Sequence, residues 1–211
     1  MEEKMGLLDG FKKNTLFDPE IFFADIENKV YEAIKKDLEE IVKMAGTEEL
    51  YAMALVADED CVSLYFAANT LEKAREKDLK YAEMLKDRLS EEEIKAVADG
   101  KKSFVKWIPD EWAYSVGNKS PFTAISDKLL KQEERNASEY AKSKALFFEG
   151  LTNALKKTAE ENRMRNGFGD ITYFITLCDG NGREEVEDYS AKLLNRQEQY
   201  ERFMKRKEKQ S

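Results

Sequence analysis

Apolar residues recur three or four positions apart over a long stretch near the start of the chain. From Phe23 to Ala45 they fall on one face of a helix with 3.6 residues per turn. Asp18 followed by Pro19 is typical of a helix start, because aspartate caps free N–H groups and proline fits the first turn. Gly46 can take the positive φ that often ends a helix. We therefore predict a long amphipathic helix between Pro19 and Ala45.

Two apolar and aromatic runs follow this helix. Residues 50–56 and 61–66 favour strands, and an acidic turn at residues 58–60 separates them, which predicts an antiparallel hairpin. Residues 103–107 alternate loosely and indicate a third strand. Residues 171–177 are β-branched and aromatic, and they are apolar enough to be central in the sheet.

Capping signals separate these strands and predict further helices. They are Asn69 with Glu72, Ser90 with Glu93, and Ser120 with Pro121. The last helix is expected to continue into a charged, solvated extension over residues 196–211. The predicted fold is thus one α+β domain over residues 1–211. It has a small, mostly antiparallel sheet of about four strands, packed with long amphipathic helices.

Composition narrows the function further. The chain carries a formal net charge of -8, which argues against binding to nucleic acid. No apolar run is long enough for a membrane span, so a cytoplasmic protein without a membrane partner is expected. Histidine is absent from the chain, which excludes Ser-His-Asp catalysis, histidine general bases and imidazole metal sites.

The two cysteines and the glycine loops add no standard site. Cys61 and Cys178 lie in strand-like runs and are expected to be buried thiols, too few for a zinc site. The loop at 167–169 precedes a strand, whereas a phosphate-binding glycine loop follows one. The loop at 180–182 lies between a strand and a helix but lacks a third glycine and a lysine, so a turn is favoured over nucleotide binding. We predict no cofactor.

Carboxylates at the ends of predicted strands and short helices are the remaining candidates for chemistry. A pair could serve as acid and base or hold a divalent cation, although acidic residues are also common in turns. These carboxylates are Asp58, Glu59, Asp60, Asp110, Glu111, Asp170 and Asp179.

Both tryptophans of the chain lie in one segment, 107–114. Trp107, Trp112 and Tyr114 would bury a large area as part of the core, or would anchor a partner at the surface. Both alternatives stay open at this point. The candidate interaction or pocket residues are Trp107, Asp110, Glu111, Trp112, Tyr114, Asp58 and Asp179.

Several segments, taken in order, resemble a bacterial family known as domain of unknown function 4303. They are residues 50–55 with Asp58, and residues 67–70, 107–114, 167–169, 171–179 and 190–195. The resemblance extends over about residues 20–195 and leaves the extension from Arg196 uncovered. It implies a bacterial, cytosolic α+β protein with no established activity or catalytic residues. Small acidic families of this kind often contain immunity proteins that neutralise toxins, which is an argument by analogy.

Three functions are consistent with these observations. The first is a non-enzymatic protein-binding module, of the immunity type, whose negative charge attracts a basic partner such as a nuclease toxin. The second is a ligand-binding protein or a carboxylate-based, metal-dependent enzyme, with a pocket where Trp107, Trp112 and the strand-end acids converge. The third is an oligomerising role for the last helix.

Overall fold

The computed structural model describes residues 17–133, 140–165 and 168–207. The ends of the predicted domain, residues 1–16 and 208–211, and Gly167 of the predicted loop lie outside the described residues. The fold is α+β, as predicted. Its elements are α1 (Pro19–Ala45), β1 (Leu50–Ala57), β2 (Leu64–Thr70), α2 (Leu71–Met84), α3 (Glu91–Ala98), α4 (Phe122–Glu133), α5 (Tyr140–Arg163), β3 (Thr172–Leu177), α6 (Arg183–Leu194) and α7 (Gln197–Met204).

Three of the four predicted capping signals are present in the structure, and one of them is Ser120, whose hydroxyl accepts from the Phe122 N–H at 3.1 Å at the start of α4. The Asp18 carboxylate accepts hydrogen bonds from two N–H groups at the start of α1, and Ser90 forms a capping box with Glu93 on α3. Helix α2 begins one residue later than predicted. Thr70 caps this helix in place of Asn69, because the Thr70 hydroxyl accepts from the third N–H of α2.

The sheet has three described strands in the order β2-β1-β3. Strands β1 and β2 form the predicted antiparallel hairpin, whereas β3 runs parallel to β1. The small sheet was predicted correctly, but it has three described strands instead of about four, and it is mixed instead of mostly antiparallel. The described residues between β2 and β3 include four α-helices, and this length of chain allows the crossover that a parallel strand needs.

The predicted strand at residues 103–107 is an irregular segment. Side chains bind its backbone groups where a neighbouring strand would do so. The buried Asp78 carboxylate accepts from the N–H groups of Phe104 (2.7 Å) and Val105 (3.2 Å). The Lys106 carbonyl accepts from the Tyr51 hydroxyl at 2.5 Å. With these groups bonded to side chains, the segment gains nothing by joining the sheet.

Strand β3 is an edge strand, not the predicted central one, yet all its residues are buried. Helix α6 covers its free edge with two polar side chains. Ser190 accepts a hydrogen bond from the Ile175 N–H at 2.9 Å. Asn195 accepts from the Tyr173 N–H (2.8 Å) and donates to the Tyr173 carbonyl (2.6 Å). The edge is thereby protected from pairing with another chain.

The two faces of the sheet bury different kinds of side chain. One face packs large aliphatic residues of β1, such as Met53 and Leu55, against α1, α4 and α5. On the other face β1 presents the small residues Ala54 and Val56, against which large aromatic rings pack. The apolar periodicity that predicted α1 and α5 thus reflects the packing of these helices on the first face of the sheet. The second face is covered mostly by irregular and C-terminal segments.

The C-terminal segment is part of this second face. Helix α6 ends at Leu194 with Asn195 as its C-cap, and the chain then forms a separate helix, α7. Phe203 of α7 is fully buried, and the Arg206 side chain is only 7% exposed. The prediction of a solvated extension was therefore wrong for the described residues up to 207. Because basic residues dominate the sequence of this segment, its composition did not indicate that an aromatic ring is buried there.

The prediction of buried thiols was also wrong. Cys61 is half-buried and Cys178 is exposed. Each cysteine lies just outside the strand that its apolar run predicted, because β2 begins only at Leu64 and β3 ends at Leu177. Cys61 therefore lies in the turn between β1 and β2, with a φ of 62°. Among the described residues, no helix is long and apolar enough to cross a membrane.

Candidate anion-binding cleft

The two tryptophans are half-buried on the second face of the sheet. Trp112 meets Phe174 edge to face at 5.6 Å between ring centroids, and Trp107 meets Phe203 in the same way at 5.1 Å. Both also contact the Tyr51 ring. The Trp112 indole N–H donates to the Lys106 carbonyl at 3.2 Å. The two rings thus belong to the core, and each leaves part of its surface accessible.

The predicted acids at the strand ends hold turns in place. Asp58 accepts hydrogen bonds from the N–H groups of Val62 (2.8 Å) and Ser63 (3.1 Å). Asp179 accepts from the Glu59 N–H at 3.0 Å, which links the ends of β1 and β3. Asp58 and Asp179 therefore lie at the same end of the sheet, where their hydrogen bonds stabilise turns. Among the described residues, no cluster of acidic or cysteine side chains could hold a metal ion.

Asp110, within the tryptophan segment, connects that segment to the start of α6. Its carboxylate accepts from the Tyr65 hydroxyl at 2.6 Å and pairs with the Arg183 guanidinium at 3.0 Å. Burial, together with this bond to Asp110, raises the pKa of Tyr65. Asp110 thus fixes Arg183 beside Trp107, and this contact joins the predicted aromatic segment to the site described below.

Glu111 and Tyr114 point to other parts of the protein. Glu111 pairs with Lys77 at 2.6 Å, and hydrogen bonds from Lys77 and Tyr81 lower the pKa of its carboxyl. The Tyr114 hydroxyl donates to Glu48 at 2.5 Å. Burial and this bond raise the pKa of Tyr114 to about 12. The seven predicted site residues therefore do not form one pocket.

A cleft of about 620 Å³ opens beside Trp107. Three separate segments form its walls: residues 102–108, the turn and first residues of α6 at 180–187, and residues 202–207. Trp112 does not line it. Of the predicted residues, the cleft includes Trp107 directly and Asp110 through its contact with Arg183.

Most of the charged residues that line the cleft are cationic, although the chain as a whole has a net charge of -8. Of its sixteen lining residues, seven are cationic and two are acidic. The cationic residues are Lys102, Lys106, Arg183, Arg202, Lys205, Arg206 and Lys207. Lys205 is exposed and makes no ion pair within the described residues. Such a lining favours anions over the acidic or metal chemistry that the sequence indicated.

Carboxylates that do not line the cleft hold several of these cations in position. Asp170 pairs with Arg202 at 2.6 Å, and Asp188 pairs with Arg206 at 2.6 Å and with Lys207 at 2.5 Å. The Arg206 guanidinium also lies over the Phe203 ring at 3.7 Å. These contacts fix the cations before any ligand arrives, which lowers the entropy cost of binding.

The glycine turn at the start of α6 belongs to the same cleft. Gly180 and Gly182 have φ values of 75° and 91°, which side chains rarely allow. A side chain on Gly180 would also meet Glu59, whose Cβ would lie 2.8 Å away. Gly182 offers no side-chain cap to α6. The first N–H groups of α6 are therefore not bonded to a capping side chain.

Sequence reasoning missed this site because its cations come from segments far apart in the chain. The run of basic residues from Arg202 was visible, but a run of charge at a helix end is usually a solvated face. Phe203 was the one available signal, since a large aromatic within a basic run indicates that the segment packs against something.

One family model matches residues 30–196, in agreement with the resemblance found in the sequence. Residues 202–207 of the cleft lie beyond this match. No curated protein matches the chain, and no solved structure does. The matching model is that of the domain of unknown function (DUF4303), and the chain belongs to this family.

Proposed function

We propose that the protein is a non-enzymatic binding module that takes an anionic small molecule in the basic cleft. The observation that carries this proposal is the excess of seven cationic over two acidic residues around a cleft of about 620 Å³, on a chain with a net charge of -8. Pockets for small molecules typically measure about 300–1,000 Å³, so the cleft has a suitable size.

The side chains of the cleft favour binding over catalysis. Its two carboxylates are already engaged: Glu187 is buried and bonded to Thr176 (2.6 Å) and Arg206 (3.1 Å), and Glu184 pairs with Lys207 (3.5 Å). The chain contains no histidine. Arginine and lysine side chains neutralise and orient anions, but a general base is needed to move a proton at neutral pH.

Calorimetric titration with inorganic pyrophosphate tests this proposal. At about 20 mM salt we expect saturable binding with a Kd below about 1 mM, which corresponds to about 4 kcal/mol. Raising the salt to about 200 mM should weaken binding several-fold, because counterions screen exposed cations. An absence of saturable heat at the lower salt concentration would contradict the proposal.

A second candidate function is the immunity-type protein that the sequence indicated. It is favoured by the position of the strand-end acids. Asp58, Asp60 and Asp179 lie at the same end of the sheet, and Asp60 and Asp179 are exposed. A basic protein of the bacterial cytosol, such as a nuclease toxin, would dock there through opposite charge.

Paired charge reversal distinguishes this second candidate. Immobilised wild-type protein should retain a basic protein from the native host, and the variant with Asp60→Lys and Asp179→Lys should lose it. The control variant with Asp87→Lys and Asp99→Lys makes the same charge change away from this end of the sheet and should retain the basic protein. Equal retention by all three proteins, or retention of no basic protein at all, counts against the candidate.

A further inference from the structure

We propose that the ligand of the cleft is a nucleotide-type compound, in which a planar aromatic ring is joined to phosphate. This inference rests on the proposed function and adds the ligand's organic part. It follows from the unequal walls of the cleft. Two walls, at residues 180–187 and 202–207, carry charge and a glycine turn, whereas the wall at 102–108 combines aromatic and apolar side chains with lysines.

The apolar part of the cleft is formed by Phe104, Trp107 and Ile108. Ile108 is 38% exposed, and the two rings are half-buried. An inorganic anion would leave these side chains in contact with water. A planar ring would cover them, because bases stack on aromatic side chains without needing a particular sequence of hydrogen bonds.

Trp107 is held rigidly enough to serve as a platform for a ring. Its indole meets Tyr51 at 5.7 Å and Phe203 at 5.1 Å, both edge to face. These contacts fix the ring in the core while part of it borders the cleft. The Lys106 ammonium lies over this ring at 5.6 Å from the centroid, so a stacking ligand would displace the lysine, whereas the fixed indole would lose little side-chain entropy.

The phosphate part would lie near Arg183 and Lys205, which line the other two walls. Arg183 is aligned by Asp110 at 3.0 Å and by the Leu177 carbonyl, to which its Nε donates. A guanidinium carries five N–H donors, so Arg183 keeps donors beyond these two contacts that can bind phosphate oxygens. The N–H groups at the start of α6 add to these donors. A ligand with both parts would contact all three walls.

The test compares ADP with pyrophosphate by calorimetry on the wild-type protein. We expect ADP to bind about tenfold more tightly or better, a difference of about 1.4 kcal/mol. In a Trp112→Phe variant, where Trp107 is the only tryptophan, ADP should quench indole fluorescence and pyrophosphate should not. If this variant fails to fold, the calorimetric comparison on wild type still decides.

A pair of matched variants locates the ring. Ile108→Ala should weaken ADP binding a few-fold and leave pyrophosphate binding unchanged. Ile21→Ala removes an isoleucine that is 71% exposed on α1 and should change neither. ADP binding no tighter than pyrophosphate would overturn the inference and leave the proposed function standing. Binding of neither compound would overturn both. If a short oligoadenylate bound more tightly than ADP, the ligand would be a nucleic acid strand instead of a free nucleotide, which would also overturn the inference.

Discussion

Replacing Phe203 by alanine is expected to lower the free energy of unfolding by about 3–5 kcal/mol, the usual cost of deleting a fully buried aromatic ring. The ring is fully buried and lies 4.6 Å from the Phe174 centroid and 5.1 Å from that of Trp107. Its loss would leave a cavity beside the small residues of β1, which cannot move to fill it because they belong to the central strand.

Urea denaturation followed by circular dichroism measures this change. Tyr189→Ala provides the matched control, because Tyr189 is an aromatic on α6 that is 67% exposed, and its removal should cost no more than about 0.5 kcal/mol. A loss below about 1 kcal/mol for Phe203→Ala would mean that the C-terminal segment does not pack on the sheet. It would then be the solvated extension that the sequence predicted.

Reversing the charge of Lys205 is expected to weaken pyrophosphate binding about tenfold or more, or by at least about 1.4 kcal/mol. Lys205 lines the cleft and makes no ion pair within the described residues. Its ammonium group can therefore approach a ligand without breaking an existing contact. Lys205→Glu replaces this attraction by repulsion, whereas its exposed position leaves the fold intact.

The control for this variant is Lys36→Glu, which changes the net charge by the same amount. Lys36 is exposed on α1, and α1 packs on the opposite face of the sheet from the cleft. Calorimetry should show nearly unchanged affinity for Lys36→Glu. Equal losses for the two variants would mean that pyrophosphate responds to the overall charge of the protein, which would contradict a specific site.

Local sequence patterns predicted the parts of the fold that depend on local physics. The start of α1 at Pro19 follows from a capping carboxylate and the geometry of proline. The β1–β2 hairpin follows from two adjacent apolar runs joined by a short acidic turn, which needs no knowledge of the rest of the chain. The family resemblance over about residues 20–195 was confirmed, and it also rests on local order and spacing.

Features set by distant residues could not be predicted in this way. Residues 103–107 have the pattern of a strand, but the Asp78 carboxylate on α2 binds their N–H groups. Strand β3 looks central because both its faces are buried, yet it is an edge strand whose free N–H groups are bonded by Ser190 and Asn195. In each case a polar side chain far along the chain replaces a strand partner.

The cleft itself is the clearest example of such a distant effect. Its three walls lie up to about a hundred residues apart in the sequence, and the packing of Phe203 on Trp107 brings two of them together. Composition gave the opposite expectation, since a net charge of -8 predicts a basic partner. Net charge describes the average surface, and a single cleft can have the opposite sign.

An NMR titration of uniformly ¹⁵N-labelled protein with pyrophosphate tests the central claim most directly. Five described glycines have positive φ, and two of them, Gly180 and Gly182, line the cleft. We predict saturable shifts of the Gly180 and Gly182 amides and of the Trp107 indole N–H, while the Gly46 and Gly100 amides stay in place. Shifts that avoid the cleft residues, or that never saturate, would contradict the assignment of this cleft as the binding site.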